Sequence, residues 1–360
     1  MRGGGEILNQ AIEGRWDATE TAGPGDVPDP GLEVAALRRS RAWTATSYIL
    51  TVFLLITVNF VLPRAMPGDP ISVLMNLSAA TDVQQATADA LADYYGLDRP
   101  LLAQYASYLA HMARGDLGLS IRYNRPVAEL VAQRLPWTLL LIVSAMTLAA
   151  AVGLLAGAQS AWRRGRPVDR GLLTFFLTVR NFPVFFLGSL ALFVFAVKLR
   201  WLPLAGARTP FSGSYGLLPQ LADVASHLVL PASVLAVQFA AGHFLIMRAS
   251  MVSELGADYL LLGRAKGLRE RRLKYGYAAR NALLPVVTLI TLQLGFAVSG
   301  TILVETVFAY PGMGRLLYEA VAFRDYPTLQ ACFLVLGLVV VTLNLLADVL
   351  YRRLDPRTRT

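Results

Sequence analysis

The sequence holds one cysteine and three histidines in 360 residues. With Cys332 alone, no disulfide can close within the chain and no cysteine metal site can be built. His111, His227 and His243 are scattered and show no ligand spacing. Charge is scarce as well: 16% of residues are Asp, Glu, Lys or Arg, where soluble domains carry about 25%. No G-x-x-x-x-G-K-[ST] phosphate loop is present, so ATPase chemistry of that type is not expected of this chain. No apolar region closely follows the first methionine, and a cleavable signal is not expected. Instead "MRGGGEILNQAIEGRWDATETAGPGDVPDPG" is rich in glycine, proline and acids. We read residues 1–42 as a disordered tail.

Apolar residues are what the chain has in quantity, 55% of the total, with a mean hydropathy of +0.49. Apolar stretches near 43–64, 136–160, 172–197, 228–248, 284–308 and 328–351 are each long enough to cross a hydrocarbon core, which needs about 20 helical residues. Lipid cannot satisfy backbone hydrogen bonds, and a barrel would show alternation, so each stretch must be a helix. The expected fold is an all-α membrane protein of six transmembrane helices. A helical extracytoplasmic insertion, residues 65–135, separates the first two. Within it Ala90, Tyr94 and Leu97, then Leu101, Tyr105 and Leu109, keep helical spacing. Gly96 and Pro100 punctuate it, and a turn at Gly115–Gly118 ends it.

Orientation follows from the basic residues. With the N-terminus inside, the inner segments carry Arg38, Arg39 and Arg41, then Arg163, Arg164, Arg166 and Arg170. They also carry Arg264, Lys266, Arg269, Arg271, Arg272, Lys274 and Arg280, and finally Arg352, Arg353, Arg357 and Arg359. The short outer segments hold only Lys198, Arg200, Arg208, Arg315 and Arg324. Both termini are therefore expected on the cytoplasmic side. The net charge of +9 is then a matter of topology and gives no reason to expect nucleic acid as a partner.

The densest basic cluster lies in the short connection between the fourth and fifth spans. Arg264, Gly267, Arg271 and Lys274 share one helical spacing, and Leu261, Ala265 and Leu268 share another. Glu270 and Lys274 stand in the favourable i, i+4 order for an ion pair. One or two short amphipathic helices outside the membrane are expected. Charge alone favours the simpler reading, a positive-inside loop touching anionic lipid.

Specific motifs narrow the choice. "GRAKGL" at 263–268 and "RNALLP" at 280–285 frame the cytoplasmic segment. "MPGDP" at 66–70, "YGLDRPLLAQYASYL", "GDLGLSI" and "RPVAELVAQRLPWTLLL" precede it in order. "NFPVFFLG" and "WLPLAG" mark the third span, and "VETVFAYPGMGRLLYEA", "RDYP" and "NLLADVLYRRLDPR" complete the chain. Over residues 43–357 the chain resembles ABC-transporter permease subunits of the dipeptide, oligopeptide and nickel importer branch. Gly263 stands where that family usually has alanine.

The resemblance implies a permease core over residues 136–352, a cytoplasmic coupling loop over 253–284 and a short tail over 353–360. It implies a membrane subunit of an importer in a bacterial or archaeal inner membrane, not an enzyme. The partners would be a second homologous permease subunit, two ATPase subunits holding ATP and Mg, an extracytoplasmic solute-binding protein and membrane lipid. The chain itself would hold no cofactor and no metal. The solute would be a di- or oligopeptide, with a nickel chelate, glutathione or an oligosaccharide as alternatives. Arg264, Ala265, Lys266, Gly267, Leu268, Arg271 and Arg272 would couple the chain to the ATPase. The alternative reading of Gly267 is an ordinary helix cap.

Other residues are weighed on their own chemistry. Arg180 and Asn181 precede Pro183 inside the third span, roughly 15 Å along a helix from Arg170. A charge there lines a pathway or snorkels to the inner boundary. Gln238, Gln293 and His243 serve as pathway lining or as hydrogen bonding between helices. Glu305, Tyr310, Pro311 and Gly312 form an outer gate or a structural turn in which Glu305 pairs with Arg315 or Arg324. Asp348 and Arg352 are spaced for a structural ion pair. An ion-driven secondary transporter would need paired acids near midplane and inverted repeats. Glu305 and Asp348 instead lie at opposite ends, and no catalytic cluster supports a membrane enzyme.

Overall fold

A computed structural model describes residues 46–61, 100–212 and 216–354, with side chains through Ala347 in the last helix. The expectations for the N-terminal tail, for the stretch from "MPGDP" through Leu97, for the C-terminal tail and for the Asp348–Arg352 pair lie outside the described residues or side chains. Residues 51–359 form one unit by contact. Residues 1–50, with Thr360, form another, of which only the opening turn of the first helix is described.

The described chain is helical, with a lone antiparallel bridge between Leu119 and Pro126. The helices are α1 Thr46–Val61, α2 Leu101–Ala113, α3 Val127–Trp162, α4 Pro167–Asn181 and α5 Val184–Lys198. They continue as α6 Leu217–Glu254, α7 Asp258–Ala265, α8 Glu270–Val307, α9 Met313–Ala322 and α10 Tyr326–Leu354. The apolar stretches expected from 136, 228, 284 and 328 fall inside α3, α6, α8 and α10. These four are long and apolar enough to cross a bilayer. The stretch near 43–64 contains α1.

The third expected span is not one straight helix. α4 and α5 meet at an angle of 105° across Phe182 and Pro183. Proline disfavours helical geometry in the residue before it, and Phe182 is accordingly extended, with φ −81° and ψ 135°. Pro183 then opens α5 with a ring that lacks only an N–H the helix start would leave unpaired. The bent pair would count as a fifth crossing.

Packing rests on close backbone approach. The most extensive helix pairing is α3 against α6. A β-carbon at Gly157 would lie 2.8 Å from the Phe244 carbonyl oxygen, and one at Gly153 would lie 2.9 Å from that of Ala240. Two glycines one turn apart thus let α6 seat directly on the α3 backbone. In lipid, where burial of apolar surface gives little drive, such contact is what holds helices together. Phe176 of α4 stacks on Phe244 of α6 at 4.4 Å between ring centres, which brings α4 onto the same pair.

At the opposite end of the bundle from α7, α2 docks on α1 and α10. Phe60 meets the Tyr105 ring edge-on at 5.0 Å. Asn59 Nδ2 donates to the Tyr108 hydroxyl at 3.0 Å and to the Gln330 carbonyl at 2.9 Å. The expected turn is present: Gly115 and Gly118 both take positive φ, 75° and 84°.

Candidate coupling and translocation site

α7 projects one face into the bundle and presents the other outward. Leu260 is fully buried, and with Leu273, Ala278 and Ala282 it packs on Ala158, Met247 and Met251. Gly263 is also buried, and the tip of Leu273 occupies the space its β-carbon would take. That contact is a local reason for glycine at this position. Leu261, Leu262, Arg264, Ala265 and Lys266 are exposed.

The end of α7 is sharply defined. Gly267 N–H donates to Arg264 C=O at 2.9 Å and Leu268 N–H donates to Gly263 C=O at 3.1 Å. This pair of bonds is the Schellman cap, and it requires the φ of +72° that Gly267 adopts. Leu268 then turns inward beside Gly263. Of the one or two short helices expected, one is present, α7, and Gly267 caps it before α8 begins at Glu270.

The expected Glu270–Lys274 pair does not form. A wider π turn over Leu273–Ala278 carries Lys274 off the Glu270 face. The Lys274 ammonium is buried, donating to Gln159 Oε1 of α3 and to the Tyr275 hydroxyl at 3.0 Å. Glu270 lies 3.8 Å from Arg264 instead. Arg271 and Arg272 belong to the first turn of α8 and line, with Arg269 and Tyr275, a concavity walled by Leu155 of α3.

Arg180, Asn181 and Pro183 are all exposed at the α4–α5 bend. None of the ion pairs among the described residues involves Arg180. Its distance from Arg170 along α4 stands, but the 105° bend that follows means this is not depth along a straight span. Asn181 turns back on its own helix, donating to Leu177 C=O at 2.7 Å.

Gln238 of α6 and Gln293 of α8 each keep a buried Oε1 without a hydrogen-bond partner among the described residues. Gln293 Nε2 lies 3.1 Å from where a Gly242 β-carbon would sit. Gln293 therefore meets α6 one residue from His243, between the two helices.

At the α9 end, Glu305 is fully buried, but it forms no ion pair with Arg315 or Arg324. Its carboxylate accepts from Thr138 Oγ1 at 2.6 Å and from the backbone N–H of Arg315 at 3.0 Å. Thr138 in turn accepts from Met313 N–H at 2.7 Å. The unpaired N–H groups and positive dipole of the α9 N-terminus do the work assigned to a side-chain cation. Gly312 is fixed by the same contact, because any β-carbon there would overlap the carboxylate. Pro311 follows Tyr310, whose buried ring meets Trp137 edge-on at 6.0 Å. The Arg315 guanidinium bonds Glu319 at 2.9 Å. Burial tends to raise the Glu319 carboxyl, but the Tyr123 hydroxyl and Arg315 outweigh it and hold it below the usual carboxylate range.

Two acids missed in the sequence organise the rest. Asp325, buried, accepts from Thr328 Oγ1 at 2.8 Å, from Ile121 N–H at 3.2 Å and from Ser120 Oγ. It caps α10 and ties down the loop before α3. Asp169, at the start of α4, takes a two-pronged bond from Arg248 of α6, Nε to Oδ1 at 2.8 Å and Nη2 to Oδ2 at 2.9 Å. Ser160 Oγ and Gly165 N–H complete its shell.

Residues 134–360 match the family described as "Binding-protein-dependent transport system inner membrane component". Over 301 residues the chain is 41% identical to a protein of Brucella suis biovar 1 (strain 1330) named as a peptide permease, covering 83% of this chain and 92% of that one. Over 311 residues it is 38% identical to the glutathione transport system permease protein GsiC of Escherichia coli (strain K12), covering 86% and 95%. A solved structure described as an amino acid ABC transporter with histidines aligns at a TM-score of 0.41 and 16% identity, over 62% of this chain and 94% of that one.

Proposed function

The chain belongs to the family of inner membrane components of binding-protein-dependent transport systems, and from that premise we propose what it carries and how it is driven. It is a permease subunit of an ABC importer. We assign it a di- or oligopeptide solute. A relative named for peptides and another named for glutathione, itself a tripeptide, both support that class. A second permease subunit completes the pathway, two ATPase subunits bind ATP and Mg, and an extracytoplasmic protein delivers the solute. The membrane is a bacterial or archaeal inner membrane, with both termini and α7 cytoplasmic. Arg180, Asn181, Pro183, Gln238 and Gln293 line the route, with Arg180 attracting a peptide carboxylate. Glu305, Tyr310, Pro311 and Gly312 hold the outer gate.

The observation that carries this reading is α7, a short helix anchored by Leu260 that leaves Leu261, Leu262, Arg264 and Lys266 exposed. Such a ridge, apolar and basic, suits a groove in an ATPase, and movement of that groove reaches α6 and α8 directly. Replacing Leu261 and Leu262 together by Asp tests it. The ATPase subunits should no longer co-purify, while the second permease subunit still does. Normal co-purification with normal uptake would refute the docking role. Mass spectrometry of the ligand retained by the binding protein tests the solute.

A further inference from the structure

Three arginines stand at the start of α8, Arg269 just before it and Arg271 and Arg272 in its first turn. Arg269, Arg271 and Arg272 are exposed, and none takes part in an ion pair among the described residues. With Tyr275, Gly276 and Leu155 of α3 they line an open concavity. We propose that this concavity binds the phosphate-bearing headgroup of an anionic membrane phospholipid.

The position of Leu155 selects a lipid over a soluble partner. Leu155 is 59% exposed, and from it to Trp162 at the end of α3 the helix rises about 10 Å. Leu155 falls inside the apolar run 136–160 read as a span, so this wall of the site belongs to the membrane-crossing part of α3 while the other belongs to the basic flank. The opposite rim is guanidinium, the group best matched to phosphate oxygens. An occupant with an apolar tail and an anionic head satisfies both walls at once. Tyr275, 41% exposed, stands between them as aromatic residues do at the headgroup level.

The site is also held in shape. The π turn over Leu273–Ala278 turns Lys274 inward to Gln159, which fixes the start of α8 against α3. Gly276 leaves room beside Tyr275, with nothing nearer to its missing β-carbon than Arg272 Cγ at 3.7 Å. The assignment rests on the importer reading only in placing the α7 end at the cytoplasmic leaflet. It separates Arg271 and Arg272 from the ATPase-facing group on α7.

The test uses the complete transporter in nanodiscs of phosphatidylcholine and phosphatidylglycerol, then native mass spectrometry after mild extraction. The wild type should retain phosphatidylglycerol in preference to phosphatidylcholine. The triple variant Arg269→Gln, Arg271→Gln, Arg272→Gln should lose at least one such lipid, with the ATPase still bound. Lys266→Gln, on the α7 side, should keep it. A large excess of inorganic phosphate should not displace the lipid; displacement would show recognition of phosphate alone and overturn the lipid assignment. Unchanged lipid retention in the triple variant would overturn it too, and loss of the ATPase with that result would make the arginines a protein contact. Because the readout is bound lipid, it stands or falls independently of which solute is carried.

Discussion

Replacing Gly267 by Val separates a backbone effect from a steric one. Among the described residues nothing beyond its chain neighbours lies within 4 Å of the missing β-carbon, so a β-carbon there meets no obstacle. The whole cost comes from φ, which at +72° is a conformation that L-residues reach at about 1–2 kcal/mol, with β-branched residues the least tolerant. Giving up the cap instead forfeits the bonds to Arg264 and Gly263 carbonyls, each worth about 1 kcal/mol net. Either way α7 loses its fixed end by about 1–2 kcal/mol, so misoriented forms rise roughly tenfold. That is too little to unfold a bundle held by the Gly153–Gly157 seam. We expect the Val variant to insert and assemble but to transport poorly, with hydrolysis no longer responding to loaded binding protein. Gly267→Asn, which tolerates positive φ, should stay near wild type. The assay is uptake and ATP hydrolysis per assembled complex in proteoliposomes. A normal transport-to-hydrolysis ratio with normal stimulation in the Val variant would show that Gly267 is only a cap. Equal damage from Val and Asn would show that the missing side chain, not φ, is what matters.

Arg180→Ala should lower uptake and weaken the preference for anionic solutes; unchanged uptake across anionic, neutral and cationic solutes at equal expression would remove Arg180 from the pathway. Asp169→Ala strands the Arg248 guanidinium and the Gly165 N–H, and should destabilise the protein by about 3 kcal/mol, read as a lower Tm in detergent, with Asp169→Glu milder. Gly153→Val drives a side chain into the Ala240 carbonyl and should abolish stable folding. Gly171→Ala, with nothing within 4 Å of its β-carbon, should be neutral or slightly stabilising in the same thermal assay.

The spans were legible because lipid allows only helices and leaves a length signal. Apolar runs placed α3, α6, α8 and α10, though each helix extends past its run because polar turns at the ends stay helical outside hydrocarbon. Pro183 stood in the sequence inside the third span, but the angle of the bend beside it depends on how α4 and α5 pack on the rest of the bundle, which no local pattern encodes. Gly267 was readable as a cap. The Gly153–Gly157 spacing was equally visible in the sequence and went unread. Asp169 and Arg248 are far apart in the chain, and nothing in their neighbourhoods marks them as partners. For Glu305, sequence reasoning looked to arginine side chains and overlooked backbone N–H groups, which carry no residue letter. Lys274 escaped because one π turn shifts every later residue off its helical face.

α8 runs without a break from the basic turn beside α7 to the Glu305 carboxylate that grips the start of α9. Its 38 residues span about 57 Å at 1.5 Å per residue. A rod of that length, pivoting near its middle by about 10°, displaces each tip by about 5 Å in opposite directions. That is the width of an extended peptide backbone. A tilt small enough to leave the α3–α6 seam intact would then be large enough to widen one mouth while narrowing the other. Because α9 is fastened to the far tip through backbone bonds, it would swing with the rod as its end-plate.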